Sequence, residues 1–201
     1  MRQFPKLTND LKECAIVRTF ELSEKLIMDG YSRGFFPWYE EEGCFYWFAY
    51  NPRFVIFPQK IKVSKSMRQL IHKNKYRITF NTAFEKVMMK CALTERGDDN
   101  HTWINQSFLD MYCDLHSKGI CKSVEVWNGD ELVGGLYGTV INNVFCGESM
   151  FHTEPNTSKL ALIWLCQNKN FTLIDCQVET QHLISMGAEM IDLETYLAFV
   201  G

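Results

Sequence analysis

The chain has 201 residues, 46% of them apolar, which is enough to bury the core of a globular protein and excludes an intrinsically disordered one. The formal net charge is −3, but seven of the 21 basic residues and none of the 24 acidic ones fall between Lys60 and Arg77. This basic segment predicts an anionic partner. No apolar run approaches the roughly 20 residues that span a bilayer, and the first residues lack the apolar core of a secretory signal. We therefore expect a cytoplasmic protein without membrane association.

The cysteine and histidine patterns favour neither metal binding nor disulfides. The eight cysteines include no Cys-x-x-Cys pair, and none lies beside a histidine at metal-ligand spacing. The histidines form no His-Glu-x-x-His unit. We expect reduced thiols in the core, no metal and no cofactor.

The first predicted unit is small and consists of short strands and turns, because residues 30–58 are rich in aromatic residues, Gly and Pro. The basic segment opens a second unit. Its first helix has a plausible N-cap at Ser64, and its apolar stripe comprises Met67, Leu70 and Ile71. We therefore predict two domains, of residues 1–59 and 60–201.

Two further helices are predicted before the spacing of apolar residues changes from a helical to an alternating pattern. Thr82 and Glu85 have the spacing of a capping box at the start of one helix. An apolar stripe from Phe108 to Leu115 predicts the next helix, which Gly119 ends.

The remainder predicts a mostly antiparallel sheet with flanking helices. Residues 123–127 alternate, residues 128–130 are a hairpin signal, and residues 131–151 suggest two more strands. A helix over about 157–167 and a short buried strand over 171–177 follow. This order predicts an α+β fold, similar to the N-acetyltransferase-like fold.

Polar residues within two of these strands are candidates for a site. Asp175 and Gln177 are two positions apart, so on a regular strand both project from one face, while Cys176 points to the other. They could equally cap the strand and bond to neighbouring backbone. Glu148 needs solvent, a partner or a ligand, because a buried unpaired carboxylate is costly. An ion pair with Lys159, or with an arginine elsewhere in the chain, would make Glu148 structural.

Large aromatic residues accompany the basic segment. Trp103, Trp47 and Phe48 could stack on an unpaired base, which π-faces beside basic residues favour. Core packing is the alternative for each of them.

In order, the stretches GYSRGFFPWY, WFAYNPR, TWI, LHSKGICKSVEVW, ELVGGLYG, FCGESMF, TSKLAL and LIDCQ resemble the leucyl/phenylalanyl-tRNA–protein transferase family, from about residue 28 to 200. The resemblance implies an enzyme that takes Leu or Phe, and also Met, from aminoacyl-tRNA. Such an enzyme attaches the amino acid to proteins with N-terminal Arg or Lys and thereby marks them for degradation by the bacterial N-end rule. The resemblance also implies a small N-terminal domain and an acetyltransferase-like C-terminal domain. We expect a monomer.

The resemblance also assigns individual residues. The implied catalytic residues are Asp175, Gln177 and Glu148. The implied pocket for the amino-acid side chain comprises Leu136, Gly147, Met150, Leu162, Leu165 and Ile174. The implied adenosine site comprises Trp47, Phe48, Trp103 and Tyr112. Phe48-Ala49-Tyr50 departs from the family's usual Trp-Ser-Pro, which weakens the stacking expected at Phe48.

The expected chemistry is aminolysis of an ester, in which Asp175 orients and polarises Gln177, and the Gln177 carbonyl accepts a hydrogen bond from the attacking amine. Glu148 would either favour the cationic acceptor terminus or hydrogen-bond the reacting amine. Contacts with tRNA are expected from Lys65, Arg68, Lys73, Lys75 and Arg77.

Two rival functions stay open at this point. An acyl-CoA-dependent acetyltransferase of the same fold needs a glycine-rich pyrophosphate loop, but the corresponding stretch is HTEPNTSKLA. A non-catalytic RNA-binding module would explain the basic and aromatic residues but leave the polar groups of FCGESMF and LIDCQ without a task.

Overall fold

The computed structural model describes residues 4–94 and 104–201. Its smaller sheet contains β1 (Cys14–Thr19), β2 (Phe36–Glu41) and β3 (Cys44–Tyr50), which are antiparallel in the order β1-β3-β2. Helix α1 (Glu24–Ser32) lies between β1 and β2 in the chain, and the Ser23 hydroxyl accepts a hydrogen bond from the Leu26 N–H at its start. The sequence patterns predicted short strands in this unit but missed α1.

The larger sheet has seven strands in the order β10-β4-β9-β8-β7-β6-β5. They are β4 (Arg53–Ile56), β5 (Arg77–Phe80), β6 (Cys121–Asn128), β7 (Glu131–Ile141), β8 (Val144–His152), β9 (Leu173–Gln177) and β10 (Glu189–Ile191). The β8–β9 pair is parallel and the other pairs are antiparallel. β4 therefore belongs to the larger sheet, although its residues precede position 60.

The remaining helices are α2 (Lys65–His72), α3 (Phe84–Ala92), α4 (Gln106–Ser117), α5 (Thr157–Asn168), α6 (Gln181–Ser185) and α7 (Leu193–Val200), with a 3-10 turn at Pro58–Lys60. Ser64 caps α2 as predicted. The predicted capping box at α3 is wrong, because the N-cap is Ala83, and the main-chain N–H groups of Thr82 and Ala83 donate to the buried carboxylate of Glu125. The mixed α/β composition confirms the coarse fold prediction.

Apolar side chains cover both faces of the larger sheet. One core includes Tyr31 of α1, Phe108 of α4 and Tyr196 of α7, and the other includes Met67 of α2 and Leu162 of α5. Because β7 is covered on both sides, nearly every residue along it is buried. A polar group placed in the middle of this sheet is therefore withdrawn from water.

Candidate active site

The larger sheet opens where β8 and β9 separate. The two strands pair only over residues 144–146 and 173–175, and both continue beyond that point. A cavity of about 390 Å³ lies at this opening, with walls from β7, β8, β9, α5 and α6. A concave, partly apolar space with a few convergent polar groups is the usual form of a substrate site.

A β-bulge places Glu148 at this opening. In the pairing of β8 with β7, the register shifts opposite residues 137–138 and leaves Glu148 as the extra residue. The close approach needs glycine at position 138, where a Cβ would lie 2.3 Å from the Cys146 carbonyl oxygen. Bulges re-aim side chains and are common beside active sites.

The Glu148 carboxylate is held by hydroxyl groups. The side chain is 9% exposed, and its Oε1 accepts hydrogen bonds from the Tyr31 hydroxyl of α1 and, at 2.9 Å, from the Thr139 hydroxyl of β7. The hydroxyl oxygen of Tyr112 lies 3.2 Å from that of Tyr31. No Lys, Arg or His among residues 4–94 and 104–201 forms an ion pair with Glu148. The structural alternative, a pair with Lys159, is absent from this part of the chain.

Burial without a cation alters the acidity of Glu148. The pKa of Glu148 is raised from 4.5 to about 7, chiefly because burial removes water from the carboxylate, and the nearby charge of Asp175 contributes in the same direction. Hydrogen bonds from Tyr31 and Thr139 act in the opposite direction, and the nearby Gln177 side-chain amide adds a smaller lowering effect. A carboxyl group with a pKa near 7 is suited to accept and release a proton at neutral pH.

A second bulge separates the roles of Asp175 and Gln177. Phe54 pairs with Gln177 and Val55 with Asp175, so Cys176 is the extra residue of β9. The regular alternation predicted for these residues is therefore wrong, and the Asp175 carboxylate is turned into the protein while Gln177 lies at the cavity.

The Asp175 carboxylate has a full set of partners. Its Oδ1 accepts hydrogen bonds from Arg53 Nε at 2.8 Å and from the Gln177 main-chain N–H at 2.9 Å. Its Oδ2 accepts from Arg53 Nη2 at 2.7 Å and from the Tyr196 hydroxyl at 2.8 Å. Both Arg53 and Asp175 are 0% exposed. Although burial alone would lower the pKa of Arg53, Asp175 raises it, and the guanidinium is charged.

Gln177 adopts an unusual backbone conformation at the cavity. Its φ is +62°, in the left-handed region that residues with a Cβ seldom occupy. Its Nε2 is enclosed and makes no hydrogen bond to the residues that the structure describes. The cavity wall therefore contains Glu148, Asp175 and Gln177, but Asp175 contacts Gln177 through the main chain.

The expected side-chain pocket coincides with the apolar wall of this cavity, with one exception. The lining residues include Leu136, Gly147, Met150, Leu162 and Ile174. Leu165 is fully buried in the core beneath α5 and is not among the described residues that line the cavity.

Two of the four expected adenosine-binding residues have no exposed ring. Trp47 and Tyr112 are both 0% exposed, and a buried ring cannot stack on a base. Trp103 lies outside the described residues. Phe48 is half-buried and packs edge-on against Trp38, with ring centroids 4.9 Å apart. Trp38, in the stretch GYSRGFFPWY, is a second half-buried ring at this position that the sequence patterns did not single out.

The basic residues expected to bind tRNA are all exposed, but Lys75 already forms an ion pair within the protein. Lys65 and Arg68 are on α2, and Lys73 follows it. Lys75 Nζ lies 2.7 Å from a carboxylate oxygen of Glu154, in the loop that precedes α5. The Arg77 guanidinium lies over the Trp127 ring at 5.1 Å.

Sequence reasoning also missed Arg53, Tyr196, Tyr31 and Thr139. Arg53 ends the quoted stretch WFAYNPR, and an arginine within an apolar run is a signal of a buried acidic partner. Tyr31 is 117 positions from Glu148, and no pattern in the chain links the two residues.

Other chemistry is limited in the described part of the chain. The Cys176 thiol lines the cavity, but burial raises its pKa well above the ordinary value, so it is a poor nucleophile. Residues 4–94 and 104–201 contain no group of three His, Cys, Asp or Glu side chains placed to hold a metal ion. None of the helices described is both long and apolar enough to cross a membrane.

Comparison with known proteins identifies close relatives. Residues 55–201 match the family model for leucyl/phenylalanyl-tRNA protein transferase, and residues 20–49 match the model for the N-terminal domain of the same enzyme. Leucyl/phenylalanyl-tRNA–protein transferase of Christiangramia forsetii is 41% identical, and the match covers 98% of this chain and 96% of that protein. The enzyme of Flavobacterium johnsoniae is 39% identical over 98% of this chain and 94% of its own, and that of Legionella pneumophila is 42% identical over 88% and 80%.

Proposed function

The chain belongs to the leucyl/phenylalanyl-tRNA–protein transferase family, and from that premise we propose that its cavity joins the two substrates of the transfer. Leu, Phe or Met is taken from aminoacyl-tRNA and attached to the α-amine of proteins that begin with Arg or Lys, which marks them for degradation. The main observation that supports this proposal is the carboxyl group of Glu148, which has a pKa of about 7 and lies in the wall of an apolar cavity. Gln177 lines the same cavity.

Aminolysis of the aminoacyl ester requires a neutral amine and little acid or base catalysis. The amine nitrogen attacks the ester carbonyl carbon, the new C–N bond forms, and the bond to the ribose oxygen breaks. Glu148 accepts the proton that the amine loses and releases it to the ribose oxygen as that oxygen leaves, so the reaction takes up and releases no net proton. An α-amine has a pKa of about 8, so the two groups exchange a proton readily at neutral pH.

Gln177 positions the amine in this proposal. Its side-chain amide lowers the pKa of Glu148, which indicates that the amide is near that carboxylate. The amide carbonyl is then free to accept a hydrogen bond from the attacking amine. Asp175 acts on Gln177 through the main-chain N–H and does not polarise its side chain.

Selection of the donor amino acid follows from the apolar wall. Leu136, Met150, Leu162 and Ile174 surround a space that suits an unbranched Cβ followed by an apolar group. We expect a donor side chain that is branched at Cβ to clash at the entrance of this pocket. The flexible side chain of Met150 adapts the pocket to Leu or Phe.

Contacts with the tRNA are proposed for two surfaces. Phe48 and Trp38 offer half-buried rings for the terminal adenosine, and Trp103 stays a proposal from the family resemblance. Phosphate contacts are proposed for Lys65, Arg68, Lys73 and Arg77. Lys75 would have to leave Glu154 to join them.

We also propose an acetyltransferase-like C-terminal domain, because the larger sheet contains one parallel strand pair that separates to form the cavity. The two sheets favour the two-domain division. Since β4 pairs within the larger sheet, the boundary is better placed before Arg53 than after residue 59. A monomer in the cytoplasm, where charged tRNA occurs, is the simplest setting for this activity.

The test follows radiolabelled leucine from Leu-tRNA into a peptide that begins with Arg, with the N-acetylated peptide as control. We expect transfer to the free amine alone. Gln177→Ala should slow transfer while leaving tRNA affinity nearly unchanged, because Gln177 contacts the amine. Retained tRNA binding without transfer by the unaltered protein would contradict the proposal and favour an RNA-binding module.

A further inference from the structure

We infer that Arg53 and Tyr196 are positioning residues of the transfer reaction. They hold Asp175, and Asp175 holds the main chain of Gln177 in the conformation that brings its amide to the cavity. The inference rests on the proposed function of Gln177 and extends it to two residues outside the cavity wall.

Asp175 itself has no capacity left for a substrate. A carboxylate offers about four acceptor positions, and the four hydrogen bonds from Arg53, Tyr196 and the Gln177 N–H occupy them. The carboxylate therefore acts through the groups that it holds. Of these groups, the Gln177 N–H belongs to a residue at the cavity.

The conformation of Gln177 needs such a restraint. A φ of +62° is disfavoured for a residue with a Cβ and persists where surrounding contacts enforce it. The Asp175 Oδ1 bond to the Gln177 N–H, 2.9 Å long, is one of those contacts and lies directly after the bulge. If Asp175 moved, the peptide of Gln177 could rotate and withdraw the amide from Glu148.

Arg53 is fixed from several directions, so it can in turn fix Asp175. Its guanidinium lies between the rings of Phe36 and Tyr196, at 4.8 and 4.6 Å from their centroids. Its Nη1 donates to the Gly34 carbonyl oxygen at 3.1 Å. These contacts therefore join the start of β2, helix α7 and strand β9 at one buried point.

A purely structural pair and a positioning pair predict different kinetics. A structural pair affects the fraction of folded enzyme and nothing else. A positioning pair lowers the transfer rate constant of folded enzyme and leaves the KM for aminoacyl-tRNA unchanged, because neither Arg53 nor Tyr196 touches the cavity. A misplacement of about 1 Å costs on the order of 100-fold in rate.

Tyr196→Phe is the main test variant, because it keeps the ring over Arg53 and removes only the hydroxyl that donates to Asp175. Arg53→Lys is the second, since it keeps the charge but loses the bidentate contact. Thr19→Val is the matched control. It removes a buried hydrogen bond of 3.0 Å, from Trp47 Nε1 to the Thr19 hydroxyl, in the smaller sheet.

Single-turnover leucine transfer is measured at a temperature where circular dichroism shows every variant folded. We expect a loss of about fivefold for Tyr196→Phe and about 100-fold for Arg53→Lys, with unchanged KM for Leu-tRNA and a normal rate for Thr19→Val. Should Arg53→Lys fail to fold, Tyr196→Phe alone decides. An unchanged rate in folded Tyr196→Phe would overturn the inference.

A double-mutant cycle with Gln177→Ala sharpens the test. If Tyr196 acts through Gln177, Tyr196→Phe has no further effect once the Gln177 side chain is gone, whereas independent effects multiply. A fivefold loss in the Gln177→Ala background would overturn the inference. Absence of transfer by the unaltered protein would instead refute the proposed function, so the two failures are distinguishable.

Discussion

Asp175 and Glu148 line the same cavity, and their surroundings differ in one respect that decides their chemistry. Asp175 faces a guanidinium that contacts both of its oxygens, whereas Glu148 has two hydroxyl donors and no cation among the described residues. Burial is unfavourable for both carboxylates. The ion pair with Arg53 offsets the cost of burying the Asp175 carboxylate. Glu148 has no such partner among the described residues, so burial raises its pKa to about 7.

The difference shows how one cavity wall can contain an ion-paired carboxylate and a carboxyl group with an exchangeable proton. The raised pKa of Glu148 corresponds to about 3 kcal/mol between its two protonation states. The sheet tolerates this cost at a single position, beside the bulge and the separated strands. In the proposed function, Asp175 is the structural anchor and Glu148 is the proton acceptor.

The largest effect is expected from removing the cation. Arg53→Met leaves Asp175 buried without its partner and should lower the free energy of unfolding by about 3–5 kcal/mol. Urea denaturation at pH 7 measures the change. Lys60→Met is the matched control, because its pair with Glu189 is exposed and should contribute about 0–1 kcal/mol. A loss for Arg53→Met no larger than that of the control would remove the distinction between the two carboxylates.

Glu148→Gln should abolish a pH-dependent destabilisation. Because the pKa of Glu148 is higher in the folded protein than its ordinary 4.5, the folded state binds this proton more tightly. The contribution of Glu148 to stability is therefore greatest below pH 4.5 and falls as the pH rises to about 7. Relative to the unaltered protein, Glu148→Gln should gain up to about 3 kcal/mol between pH 5 and pH 8. Parallel stability curves for the two proteins in urea would refute the raised pKa.

A smaller effect is expected from Tyr31→Phe. Removal of the hydroxyl deprives the ionised form of Glu148 of a donor, which should raise the pKa by about one further unit. The pH dependence of stability then extends about one unit higher. An unchanged upper limit would mean that the Tyr31 hydroxyl does not stabilise the carboxylate.

The smallest effect is expected from Thr139→Val, which keeps the shape of the side chain and removes the second donor to Glu148. Its hydrogen bond lowers the pKa less than that of Tyr31, so the shift should have the same direction and about half the size. A downward shift of the pKa would contradict the assignment of Thr139 as a donor.

Local patterns predicted much of the fold but little of this contrast. Ser64 and the Met67 stripe located α2, and the turn at 128–130 located the β6–β7 hairpin, because both depend on neighbouring residues. The partners of the two carboxylates come from distant segments: Arg53 is 122 positions from Asp175, and Tyr31 is 117 from Glu148. The family resemblance named Asp175, Gln177 and Glu148 as the expected catalytic residues. It did not show that bulges turn Asp175 inward and leave Glu148 without a cation.

The most direct test measures the acidity of Glu148 itself. The protein is labelled with carbon-13 at the glutamate side-chain carboxyl carbons and titrated by NMR, and the resonance that is missing in Glu148→Gln is assigned to Glu148. We expect this resonance to titrate at about pH 7. A midpoint near the ordinary value of 4.5 would show that Glu148 is ionised throughout the neutral range, and its proposed role as proton acceptor would be lost.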